Sequence, residues 1–260
     1  MRNLLTLLLL IVLTISCEAQ VVKRIKKGRR FKSESQFALD KNDFQAEWEI
    51  GRETIDSQLT TIIYPNLILH YALSDRLEVN TEMSLITAKN KSYSSKQNTT
   101  GIEPVLVGAN YQVLRDNDNS PSVIVSAQLA IPFLSTKEFT INYFSPVLQI
   151  SLQEALYEKW IFGLSGGLLW DGYSTSPNFT YNASTSYYYK KRWMVTAECF
   201  GFINDDMVQN NLDASLAYTI NDLVQFGITA GTGISHFAPK NYFAVNGTWG
   251  FNTSKKSHGH

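Results

Sequence analysis

The chain has 260 residues, with 23 Lys and Arg against 23 Asp and Glu, for a formal net charge of zero. That balance argues against nucleic acid as a global partner. After the first twenty residues no apolar run approaches the ~20 residues of a membrane helix, whereas a barrel strand needs only ~9–11 alternating ones.

The amino terminus reads as an export signal. Arg2 precedes an apolar run from Leu4 to Ile15, followed by Ser16-Cys17-Glu18-Ala19-Gln20. A basic start, an apolar stretch too short to span and a small residue at Ala19 predict cleavage there. The rival reading makes Cys17 the acylated first residue of a lipoprotein, but Thr14 stands where such signals usually carry Leu. The signal holds one charge of each sign, Arg2 and Glu18, so the remaining chain is neutral too. If Cys17 leaves, Cys199 is alone and no internal disulfide forms; in the apolar phase of a strand it reads as a small hydrophobe. Residues 20–42 form a leader whose segment Val21 to Lys32 (V-V-K-R-I-K-K-G-R-R-F-K) is basic and aperiodic. It reads as a solvated arm, or as a contact for anionic headgroups or cell-wall polymer.

From there the chain alternates with period two. Expected strands run over Asp43–Ile50, Thr60–Leu73, Arg76–Ile86, Gly101–Leu114, Ser122–Ile131 and Ser145–Leu156. The second half gives Lys159–Leu169, Asn178–Tyr189, Trp193–Phe202, Asn211–Tyr218, Leu223–Gly233 and Tyr242–Phe251. The stretch Asp75 to Leu85 shows the pattern most sharply: Leu77, Val79, Thr81, Met83 and Leu85 alternate with Arg76, Glu78, Asn80, Glu82 and Ser84. Elsewhere Val105, Val107, Ala109 and Tyr111 oppose Gly108, Asn110 and Gln112, and Val123, Val125 and Leu129 oppose Ser126 and Gln128. Leu212 and Leu216 oppose Asp213, and Phe226 and Ile228 oppose Gln225. Successive side chains of a strand point to opposite faces, so one face is apolar and the other polar, strand after strand.

Connections after even strands are short, as at Ser74-Asp75, Tyr157-Glu158 and Lys190-Lys191-Arg192. Those after odd strands are mostly longer, above all Thr87 to Thr100. Tight turns at one rim and longer loops at the other describe an outer-membrane barrel. Aromatics collect toward both ends: Tyr71, Trp160, Tyr187, Tyr189, Trp193, Tyr218, Trp249 and Phe251 toward the short turns, and Trp48, Trp170, Tyr143, Phe144 and Phe179 toward the loops. Two such belts match the two interfaces of a bilayer. The pattern predicts an all-β, transmembrane, antiparallel up-and-down barrel of about twelve strands over residues 43–251, with a flexible tail over 252–260.

Three stretches resemble a known family. They are T-G-I-E-P-V-L-V-G-A-N-Y-Q-V-L (Thr100 to Leu114), Y-A-L-S-D-R-L-E-V-N (Tyr71 to Asn80) and A-Y-T-I-N-D-L-V-Q-F-G-I-T-A-G-T-G (Ala217 to Gly233). They are similar to hairpin signatures of the outer-membrane transporters named for the meta-pathway of phenol degradation. The resemblance implies a roughly twelve-stranded barrel in a Gram-negative outer membrane, built by the barrel assembly machinery, surrounded by outer-membrane lipids, and passing a small aromatic or hydrophobic solute. Glu103-Pro104 departs from the family's Gly-Asp-like corner, Asn110 stands where Lys is usual, and N-T-S-K-K-S-H-G-H follows the terminal aromatic Phe251.

Chemistry beyond passage has little support. His258 and His260 could pick up a metal, but two ligands on a tail make a weak site. A hydrolase needs a Ser beside a His; Ser84 and His70 share a phase, but the Ser74-Asp75 turn sets His70 opposite about residue 79. No cofactor, metal or catalytic residue is expected. The expected lumen lining is Arg76, Glu78, Asn80, Glu82, Asn110, Gln128, Glu198, Asp213 and Gln225, a partly acidic set suited to cations or polar solutes. The alternatives are a structural or adhesive barrel with a closed lumen and a lipid hydrolase around His70.

Overall fold

A computed structural model describes residues 41–92, 95–114, 121–156, 159–190, 192–204, 207–221 and 223–252. The export signal with Cys17, the basic leader and the tail with His258 and His260 lie outside the described residues. The strands are β1 (Asp43–Thr54), β2 (Leu59–Ser74), β3 (Leu77–Ser92), β4 (Ser95–Ile102), β5 (Val105–Leu114), β6 (Ser122–Ile131) and β7 (Ser145–Leu156). They continue as β8 (Trp160–Leu169), β9 (Asn178–Tyr189), β10 (Trp193–Asn204), β11 (Met207–Asn221), β12 (Val224–Gly233) and β13 (Asn241–Asn252).

All pairings are antiparallel, and β1 pairs with both β2 and β13, so the sheet closes on itself and has no edge. The segments β4 and β5 are one wall strand. Both pair with β3, β4 along Leu85–Ser92 and β5 along Leu77–Glu82. Pro104 lacks the N–H a ladder needs and breaks the strand there. The Glu103 amide still donates to the Ser84 carbonyl at 3.0 Å, while the Val105 amide turns to the Leu134 carbonyl at 3.3 Å. The wall therefore has twelve strands.

The apolar phase faces out. Ile150, Leu164 and Phe243 are 55%, 54% and 52% exposed, while Asn178, Asn211 and Ser145 are 2%, 1% and 0% exposed. A water-soluble β-protein buries the opposite set. An apolar outer face on a closed antiparallel wall is the architecture of an outer-membrane barrel, because lipid replaces the core as the place for large side chains. At the short-turn rim Trp160 meets Tyr187 at 4.8 Å between ring centroids and Trp193 meets Tyr218 at 4.7 Å. At the other rim Phe133 meets Phe144 edge-on at 6.5 Å.

Two details differ from the sequence reading. The Thr87 to Thr100 loop is largely a hairpin, since β3 runs to Ser92 and β4 starts at Ser95. Its Thr, Lys and Asn residues are polar because the arm stands beyond the apolar band, and polarity alone does not distinguish a strand in water from a loop. Likewise β1 continues to Thr54, which places Trp48 mid-strand, opposite Gly247 and edge-on to Phe226 at 6.1 Å, away from the long-loop rim.

Candidate functional site

The inner face changes character along the barrel axis. Near the short-turn rim, β1, β2, β3 and β5 bring together Glu47, His70, Glu78 and Asn110. His70 Nδ1 lies 2.6 Å from Glu78 Oε1, and His70 Nε2 lies 3.8 Å from Glu47 Oε1. Asn110 Nδ2 donates to Glu78 Oε1 at 3.0 Å, and Gln45 Nε2 donates to Glu47 Oε1 at 2.6 Å. The register explains the cluster: His70 stands opposite both Gln45 and Asn80, and Glu78 stands opposite Asn110. His70 and Glu78 are both buried. Buried polar groups require partners, and neighbouring strands supply them here.

Further along, Gln128 Nε2 donates to Asn80 Oδ1 at 3.1 Å across the intervening β5. On the facing wall Glu198 and Asp213 stand directly opposite one another, both buried. The Tyr242 hydroxyl donates to Asp213 Oδ2 at 2.5 Å. It reaches across β12 because Gly231 lies between them; a Cβ there would meet the Tyr242 ring at 2.3 Å. Gln225 Nε2 donates to Thr219 Oγ1 at 3.2 Å near the short turns. Glu82 is buried on the same face of β3 as Glu78. Arg76 is exposed in the Asp75–Arg76 turn, at the rim.

Toward the long-loop rim the inner face becomes apolar. Leu106, Ala130, Val147 and Leu169 of β5 to β8 cluster with Ile141 from the β6–β7 connection. Phe200 and Phe202 of β10 are each 1% exposed, and Phe200 meets Tyr242 edge-on at 6.3 Å. The connection is anchored on both sides, with the Thr136 amide donating to Ile102 and the Asn142 and Tyr143 amides to Gly172. Gly172 has φ +75, a left-handed conformation that favours glycine, and a Cβ there would meet Ile141 at 2.7 Å. The alternation signals Glu47, between Gln45 and Glu49, but the apolar inner residues break it. An apolar residue in the polar phase carries no mark of which way it faces.

The pair considered for hydrolysis is not assembled. Ser84 Oγ donates to Asn66 Oδ1 at 2.7 Å, while His70 stands opposite Asn80 and bonds Glu78. Among the described residues no group of three or more His, Cys, Asp or Glu is arranged to hold a metal.

Solved structures share this fold. The COG4313 outer membrane channel from Pseudomonas putida F1 superposes with a TM-score of 0.67 at 16% identity, covering 85% of this chain and 100% of that one. The KdgM porin gives 0.56 at 10% identity, covering 80% and 99%, and the NanC porin 0.55 at 12%, covering 78% and 98%. At these identities the likeness is one of fold. No curated protein matches the chain. The model of the family described as "Putative MetA-pathway of phenol degradation" matches residues 27–250, nearly the whole barrel included, and the chain belongs to that family.

Proposed function

We propose that this outer-membrane barrel is a passive channel for a small solute with both apolar and polar parts. The observation that carries the reading is the two-part inner face. Leu106, Leu169, Phe200 and Phe202 lie toward the external rim, and Glu47, His70, Glu78 and Asn110 toward the periplasmic one. On this reading Glu78, Asn80, Glu82, Asn110, Gln128, Glu198, Asp213 and Gln225 line the path, with Arg76 at its periplasmic mouth. Apolar contacts receive the solute's hydrocarbon part, and the hydrogen-bonding wall then offers its polar atoms partners, so passage needs no energy input. The membership in a family named for phenol degradation supports an aromatic solute. The separation of Ser84 from His70 supports a chain without hydrolase activity.

A second reading, a structural barrel with a closed lumen, is favoured by Ala72, Ser145 and Ala244, each 0% exposed. Small side chains on an inner wall are hidden only where something covers them. Flux separates the two. Proteoliposomes loaded with a small phenolic acid should release it faster with the protein than without, and Phe200→Ala should change the rate. No release above empty liposomes, for the phenolic acid and for glycerol alike, would leave the closed barrel as the better account.

A further inference from the structure

The inner wall is acidic from rim to rim. Glu78 and Glu47 lie near the short turns, and Glu82, Glu49, Glu198 and Asp213 lie further along. Glu53 stands toward the long-loop rim, opposite Tyr242. Glu49 and Glu53 belong to the inner face because Ile50 and Arg52 are exposed while Gly51 and Glu53 are buried. Among the described strand residues no Lys or Arg shares this inward phase. Two acceptors on the same face also lack a donor. Asn211 Oδ1 and Gln209 Oε1 have no hydrogen-bond partner, although their residues are 1% and 3% exposed. Their amide nitrogens bond the Phe200 and Phe237 carbonyls at 3.4 and 3.2 Å. Buried acceptors beside carboxylates need a group that only donates, which is the chemistry of Lys and Arg.

Length and charge fix the occupant. From Asp43 to Glu53 the wall rises about 25 Å, at ~3.4 Å per residue and a tilt near 40°. A small amine meets one or two carboxylates spread over that height, whereas an extended polycation meets them all. The chain carries such a segment beside the mouth. Val21 to Lys32 holds seven Lys and Arg and no carboxylate, against the seven carboxylates named above, so 7 − 7 = 0. The Lys41 amide donates to Asp75 Oδ1 at 3.1 Å and the Asn42 amide to the Ala72 carbonyl at 2.9 Å. Asn42 has φ +69, so the chain turns beside the β2–β3 hairpin instead of continuing the line of β1. The nine residues from Ser33 to Lys41 span up to ~30 Å, more than the ~13 Å from the level of Trp193 to that of Glu198. The order fits as well: Val21 and Val22 go deepest, toward Phe200 and Phe202. Ala72, on the inner wall at this rim, is 0% exposed, whereas a methyl group beside an open mouth would meet water.

We propose that the basic leader, Val21 to Lys32, docks inside the barrel along this acidic wall. It narrows the lumen and cancels its charge, so that a solute of either sign passes along the remaining path. Without it the seven carboxylates would concentrate cations and repel organic acids.

Trypsin cleavage after Lys32, followed by mass spectrometry on the full protein in neutral detergent, reads docking directly. In wild type it should be slow and should quicken as salt rises. The wall variant E47Q/E49Q should be cleaved there about tenfold faster, from about threefold per half-buried carboxylate. The leader variant K26Q/K27Q/R29Q/R30Q should be cleaved faster too, and it leaves the wall untouched should the first variant misfold. Unchanged heat-dependent mobility on SDS gels shows that each barrel is intact. Equal cleavage in wild type and the leader variant would overturn the proposal. So would protection that appears only on adding anionic lipid or cell-wall polymer, which would give the leader a partner outside the barrel. Release from proteoliposomes, which rests on the channel reading, is the second arm. Wild type should release tyramine and its carboxylate analogue at comparable rates, and the leader variant should favour tyramine about tenfold. An equal preference for tyramine in both proteins would mean that the carboxylates serve a permeating cation, and would overturn the proposal as well. No release by either protein would refute the channel, while the cleavage rates still decide where the leader lies.

Discussion

Leu164→Arg separates a lipid-facing wall from a soluble surface. Leu164 is 54% exposed on β8, opposite Leu152 and Ala183. On a soluble surface such a change falls within about 0.5 kcal/mol of neutral. In this barrel Leu164 lies four residues above Trp160 of the aromatic belt. At ~3.4 Å per residue and a tilt near 40° that is about 10 Å, close to the middle of an apolar band ~25 Å tall. An arginine at that depth costs about 2–4 kcal/mol, falling to about 0–1 near the interface. Urea unfolding in lipid vesicles should therefore show Leu164→Arg destabilised by that amount. Leu223→Arg, in the short turn before β12, should change little. Equal and negligible effects at the two sites would refute the membrane placement of the outer face.

Other consequences are more local. Tyr242→Phe removes the donor to the buried Asp213 carboxylate and should cost about 1.5–3 kcal/mol in the same unfolding assay; a neutral result would show that another donor takes its place. Gly172→Ala forces a side chain into a left-handed conformation and against Ile141, so about 1–2 kcal/mol of strain should appear as faster proteolysis of the β6–β7 connection with the barrel intact. Unboiled wild type from outer-membrane fractions should migrate differently on SDS gels from boiled protein, since a closed wall has no edge from which to unravel. Identical mobility would count against closure.

Much of the wall was legible because lipid and a polar interior impose a strict period of two. Leu148, Ile150 and Leu152 alternate with Gln149, Ser151 and Gln153, and that alternation sets both the strand and its face. Turns such as Asp75–Arg76 follow from polar residues between alternating runs. The Glu103-Pro104 break was legible as a departure, though not its consequence, because a bulge depends on which partner residues it leaves opposite. Strand ends beyond the bilayer were not legible: from Lys89 to Ser92 the sequence is polar at every position, and the alternation disappears while the ladder continues. The inner cluster was half legible. Glu78 and Asn110 stand out as polar in phase, but their meeting with His70 and Glu47 depends on the registers of the β1–β2 and β2–β3 pairs, whose ladders shift between Glu49 and Gly51 and between Ile63 and Asn66 where the alternation gives no sign of it. Phe200 and Phe202 were hidden because their neighbours Cys199 and Gly201 carry no contrast.

The central claim is that the apolar phase faces lipid and the polar phase faces inward around a closed wall. Spin labels placed singly at Leu148 through Gln153 of β7, in a Cys199→Ser background and in liposomes, test it directly. Oxygen accessibility should peak at 148, 150 and 152 and fall at 149, 151 and 153. The reverse order, or no alternation, would contradict the account.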